Sequence, residues 1–208
     1  MIMEERRCPE MMINICDMDV DKMIDKFWKD YMEPKWKPTF VMFFDGDSEA
    51  ENHVKLKRAL LKIGKGLIGD DFVLDRENME VYMQTALYLL GHESGYPLEK
   101  GLFIWGKVGC GKTVMMKVVG MFAKIFNPRN GYRIEHCHEA SAKFQMRGAE
   151  ALDEFVKGSV CFDELGSEPL TTSYYGTQVP VMPMHIEKRY RLFMGRGRWT
   201  HFSSYFDL

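Results

Sequence analysis

The stretch GLFIWGKVGCGKT, residues 101–113, constrains this chain more than any other part of it. Five apolar or small residues run straight into a glycine-rich turn that closes on Lys-Thr. Gly106-Lys107-Val108-Gly109-Cys110-Gly111-Lys112-Thr113 fits the pattern GxxxxGK[ST] in full, the Walker A phosphate loop. Its glycines let the backbone curl so that successive N–H groups point inward at phosphate oxygens. The helix expected to follow adds the positive end of its dipole. In this reading Lys112 reaches the β- and γ-phosphates and the Thr113 hydroxyl binds Mg²⁺. The alternative is a plain glycine turn between a strand and a helix. The apolar run before the loop and the helical pattern after it are the context that favours the phosphate reading.

About fifty residues later SVCFDELGSE supplies a partner element (Walker B). An apolar strand ending in Asp163-Glu164 delivers two carboxylates to the C-terminal edge of a parallel sheet, where the phosphate loop also lies. Alternation along a strand points neighbouring side chains to opposite faces, which suits two different tasks. Asp163 is placed to hold Mg²⁺ and its waters, and Glu164 to orient and deprotonate an attacking water. The bland alternative is an exposed acidic turn. Two adjacent acids favour an ATP hydrolase over GTPase and kinase patterns, which position water by other means.

The rest of the chain alternates in a way that fits these two motifs. GLFIW reads as a buried strand, 112–126 as a helix, 132–137 as a strand, and 148–157 as a helix. SVCFD is a strand, 181–193 a helix, and 199–204 a last strand. Strands separated by helical crossovers argue for an α/β fold with a parallel sheet flanked by helices. Upstream, residues 17–32 carry Val20, Ile24, Phe27, Trp28 and Tyr31 at helical spacing. The prolines at 34 and 38 end that helix. Phe40 to Phe44 reads as a strand or buried connector, and 48–62 and 78–92 as two further helices. This organisation divides the chain into a mainly helical N-terminal region, 1–96, and a phosphate-loop core, 97–208.

Composition sets the limits. In 208 residues, 46% hydrophobic and 13% aromatic content suffices for a real core and excludes a disordered chain. A net charge of −2 gives no global attraction to nucleic acid, so any such contact must be local. No apolar run is long enough to span a bilayer. Five scattered cysteines, Cys8, Cys16, Cys110, Cys137 and Cys161, contain no CxxC pair and read as reduced thiols of a cytoplasmic protein.

GLFIWGKVGCGKT with CFDELGSE, then a YYG turn, a helix ending near KRY, and THFSS resembles the DnaC/IstB-like AAA+ ATPases. These are helicase loaders and transposition helpers. The resemblance covers residues 97–208. It implies a sheet of order 5-1-4-3-2 and ATP-driven assembly on DNA as a homo-oligomer. It also implies a partner that is a replicative helicase or a transposase. The family usually places a sensor Asn where this chain has Tyr205, which puts Tyr205 among the nucleotide contacts. The segment that carries the arginine finger, the last strand and the lid in the family would follow Leu208. Two expectations result: a C-terminally incomplete core, with the phosphate-loop strand at the sheet's edge, and slow hydrolysis.

Other features are weighed beside this reading. EKRYRLFMGRGRW, with Arg189, Arg191, Arg196, Arg198 and Trp199, is a candidate contact for single-stranded DNA by charge and stacking, against the reading of a solvated helix end. The lysines between 55 and 65 read as a wet helix face. His136-Cys137-His138 has the wrong geometry for one metal if all three lie on a strand, because the central Cys then points away from both histidines. Cys110 lies in the phosphate loop, as a reactive thiol or as a small filler. Beside the ATPase reading stand an ATP-binding module that serves as an interaction switch without turnover, and a small-molecule kinase. No Arg-rich lid segment supports the kinase.

Overall fold

The computed structural model describes residues 19–31, 49–92, 94–196 and 199–205. Three helices come first: α1 (Val20–Tyr31), α2 (Glu49–Ile68) and α3 (Met79–Leu90). Then follow β1 (Phe103–Trp105), α4 (Lys112–Phe126), β2 (Arg133–His136), α5 (Cys137–Arg147), α6 (Ala149–Glu154) and β3 (Val160–Asp163). A small hairpin, β4 (Thr172–Tyr174) and β5 (Thr177–Val179), precedes α7 (Val181–Arg196) and β6 (Thr200–Ser204). The run Phe40–Phe44, the prolines at 34 and 38, Cys8, Cys16 and Arg198 lie outside the described residues.

The main sheet has the order β1-β6-β3-β2, and every pairing is parallel. Taken as the first, fourth, third and second strands of the core, these follow the 1-4-3-2 part of the order that the motif resemblance implies. Alternation along the strands sends Ile104, Ile134 and Cys161 to one face. There they meet α1 to α4, whose Leu60, Ile63, Leu89, Met116, Val119 and Phe122 form the larger core. Val160 and Phe162, with Phe202 beside them, face the other way onto Cys137, Ala140, Phe155 and Met182 of the α5–α7 layer. The result is a parallel sheet between two helical layers, as expected of an α/β fold. The first three helices share a single apolar core with α4 and the sheet.

Three details depart from the sequence reading. GLFIW forms the expected strand, but Phe103 and Trp105 are 41% and 56% exposed. Among the described residues β1 lies at the edge of the sheet, so only one of its sides is covered. The strand expected to run to Cys137 stops at His136, and Cys137 begins helix α5 at once. The premise that His136, Cys137 and His138 lie along one strand therefore does not hold. Helix α5 has no strong apolar period to announce it. Its buried face, Cys137, Ala140, Ser141 and Phe144, has helical spacing, but small and weakly apolar residues carry it.

The YYG turn closes the β4–β5 hairpin. Tyr175 and Gly176 both take positive φ, 46° and 81°, which matches the twist of a tight two-residue hairpin loop. Tyr174 packs on Phe144 at 6.0 Å between ring centres, while Tyr175 and Leu170 stand 92% exposed. No described helix is long and apolar enough to cross a membrane.

Candidate functional site

Because all four strands run parallel, their C-terminal ends form one rim. The segments that leave it are Gly106–Thr113 after β1, His136 at the end of β2, Asp163-Glu164 at the end of β3, and Ser203 to Tyr205 at the end of β6.

The loop 106–111 enters α4 through Gly109 and Gly111, at φ 83° and 88°. A side chain would be strained there by conformation, since neither position has an atom within 4 Å of where a Cβ would stand. Lys112 opens α4 and folds back over the loop, its Nζ donating to the carbonyl oxygens of Gly106 (2.6 Å) and Lys107 (2.9 Å). Cys110 is exposed, with its Sγ 3.8 Å from the same ammonium. Lys107 and Val108 are exposed at the crest of the loop, Val108 by 82%.

Thr113 is one residue further into α4, and its Oγ1 donates to Asp163 Oδ2 at 2.8 Å. Asp163 is fully buried. Its other oxygen, Oδ1, accepts a short hydrogen bond from the hydroxyl of Ser203. Glu164 leaves the strand in the left-handed region, φ 61°, and its side chain is about half exposed. His136 stands opposite, with Nδ1 3.7 Å from Asp163 Oδ2 and 4.0 Å from Glu164 Oε2. Tyr205 follows β6 at the same rim, half-buried.

The donor set fits a hard divalent cation bound together with phosphate. Among the described residues no group of three or more His, Cys, Asp or Glu is arranged to hold a metal ion. Two oxygens do converge, from Thr113 and Asp163. Mg²⁺ is commonly held in this way, by one or two protein oxygens with the rest of its shell from phosphate and water. The thiols close by are unsuited to ligation. Burial pushes both Cys137 and Cys161 upward, and the carboxylate of Asp163 adds to the shift in each case. Burial also raises Tyr132, behind the rim, which donates to Met116 O at 2.8 Å.

Two rim residues were missed by sequence reasoning. The sequence signal at His136 involves only its neighbours in the chain, whereas its partners Asp163 and Glu164 are 27 and 28 residues away. Ser203 lies within the THFSS strand and carries no motif signal of its own. One of the candidates for nucleic-acid contact is corrected by the fold. Arg189 is 1% exposed at the opposite rim. Its guanidinium donates to Thr200 Oγ1 (2.7 Å) and to the carbonyls of Phe155 (2.5 Å), Gly158 (3.0 Å) and Trp199 (2.8 Å). It fastens strands and does not face solvent. Arg191 is exposed and paired with Glu187 one turn away.

No protein-family model matches the sequence, and no curated protein does. The chain is similar over part of its length to solved structures. One is a candidate primosome component from Streptococcus pyogenes serotype M3, with 15% identity, 67% of this chain and 68% of that chain covered, and a TM-score of 0.48. Another is AMPPCP-bound DnaA from Aquifex aeolicus, with 18% identity, 65% and 40% covered, and a TM-score of 0.43.

Proposed function

We propose that this chain binds Mg²⁺-ATP in the loop 106–113 and is an AAA+-type ATPase of DNA replication or transposition. The observation that carries the reading is the 2.8 Å contact between Thr113 and Asp163, beneath a loop whose lysine is folded over its carbonyls. Loop N–H groups and Lys112 cradle the phosphates. Thr113 and Asp163 would hold the metal, which would supply neutralisation of phosphate charge. Glu164, half exposed at the rim, takes a proton from a water. The water oxygen bonds to the γ-phosphorus, and the bond to the β-bridging oxygen breaks, releasing ADP and phosphate.

The finer reading, a helicase loader or transposition helper that acts with a replicative helicase or transposase, single-stranded DNA and further copies of itself, rests on the motif resemblance. A second reading is favoured by Tyr205. By the motif resemblance Tyr205 stands at the sequence position of the family's sensor Asn, and on this reading ATP serves as an interaction switch with little turnover.

Steady-state ATPase assays with and without single-stranded DNA separate the two. The ATPase reading expects DNA-stimulated turnover that Glu164→Gln abolishes while ATP binding persists. Binding without turnover under either condition favours the switch. A variant that turns over like the wild type means that Glu164 is misassigned.

A further inference from the structure

We infer that Ser203 is a positioning residue that sets the two acidic side chains of the rim relative to each other, an inference that rests on the ATP reading above. Ser203 is fully buried on β6. Its Oγ donates to Asp163 Oδ1 and accepts from the backbone N–H of Glu164 at 3.1 Å. Its carbonyl oxygen accepts from the N–H of Leu165 at 2.8 Å. One serine therefore holds three successive residues of the neighbouring strand end.

The polarity of this arrangement follows from chemistry. A hydroxyl has a single proton. A carboxylate oxygen can only accept, so the proton goes to Asp163. The lone pairs that remain are what Glu164 N–H can reach. Two consequences follow. With Oδ1 engaged by Ser203, Oδ2 is the oxygen of Asp163 turned to Thr113 and His136. And the N–H of Glu164 is anchored while that residue sits at φ 61°, a conformation unfavourable for a non-glycine residue. The left-handed step carries Glu164 off the strand direction. Ser203 thus aims the metal-binding oxygen with its proton and the water-activating side chain with its lone pair.

The test uses the full chain with Ser203→Ala, Ser203→Thr and Ser203→Cys. Affinity for a fluorescent ATP analogue in EDTA and the melting temperature report the loop and the fold. The gain in analogue affinity on adding Mg²⁺ reports Asp163, and amide hydrogen exchange at Glu164 reports the anchor. Ser203→Ala is expected to reduce the Mg²⁺ gain and to speed Glu164 exchange, each about tenfold, with affinity in EDTA unchanged. Ser203→Thr, which keeps the hydroxyl, retains wild-type values. Ser203→Cys fills the space with a bulkier, weak hydrogen-bond partner and follows alanine, so the outcome does not hang on a cavity left by alanine. Wild-type values for both readouts in the Ala and Cys variants overturn the inference. So does a matching loss of melting temperature and EDTA affinity, because Ser203 is then mere packing. A wild type without affinity for the analogue sinks the ATP reading instead, and Glu164 exchange alone then decides the coupling.

Discussion

Thr113 and Asp163, fifty residues apart in the chain, are joined by a hydrogen bond of 2.8 Å from hydroxyl to carboxylate. That bond ties the first turn of α4 to the end of β3. Asp163→Asn keeps the shape and removes the charge. Its Mg²⁺-dependent gain in ATP affinity is expected to fall at least about tenfold, with affinity in EDTA preserved. Isothermal titration with and without the metal checks it. A full Mg²⁺ gain in the variant takes Asp163 out of the metal site.

Lys112 spends its ammonium on two loop carbonyls, at 2.6 and 2.9 Å. Charge-assisted hydrogen bonds of this kind are worth about 1.5–3 kcal/mol, so Lys112→Ala is expected to weaken ATP binding by roughly 10- to 100-fold. Equal affinity of variant and wild type in a nucleotide titration would remove the lysine from the phosphate site.

Much of this rim could be read from the sequence, and the reasons differ by residue. The loop 106–113 and the helix from Lys112 to Phe126 were legible because glycine spacing and apolar period are local signals. Asp163 and Glu164 were legible because a short apolar strand announces its own end. Ser203 and His136 were not, since their meaning lies in neighbours 27 to 40 residues away. Arg189 misled for a different reason. An Arg-rich stretch looks wet by composition, yet Met182, His185 and Arg189 share one buried helical face.

Arg189 is the largest fully buried side chain among the described residues. Replacing it by Met strands three backbone carbonyls and a hydroxyl, at a cost of about 3 kcal/mol or more. For a chain of this size that lowers the melting temperature by roughly 6–12 °C. Arg189→Lys should recover less than half, because a point ammonium cannot reproduce the planar fork. Thermal melts by circular dichroism decide it, and a melting temperature within about 2 °C of wild type would refute the fastening role.

Two buried histidines make stability depend on pH. Burial, with the nearby charges of Lys188 and Arg189, pushes His185 down to about 4. Burial, with Arg189, pushes His201 down to about 3. Both stay neutral in the folded chain while the unfolded chain takes up protons below about pH 6.5. The unfolded state then binds more protons, so stability falls as pH falls from about 6.5 toward 4. The slope is about 1.4 kcal/mol per pH unit for each histidine. Below about 4 His185 charges in the folded state too and its share levels off. His185→Phe keeps an aromatic ring against Phe155 and Phe162 and should remove one proton from this slope. Urea unfolding at pH 7, 6 and 5 measures it. An unchanged slope in the variant would mean that His185 is not the titrating group.

Arg189 also bears on how the strands of the sheet can move against each other. It clamps the start of β6 to the turn before β3, at the base of the two central strands. Sliding one strand past the other would break that clamp, so the sheet acts as a rigid anvil. The loop from Leu165 to Thr171, which runs from Glu164 toward the tyrosine hairpin, lies outside that clamp. There Leu170 and Tyr175 stand in solvent, the most exposed large apolar side chains among the described residues.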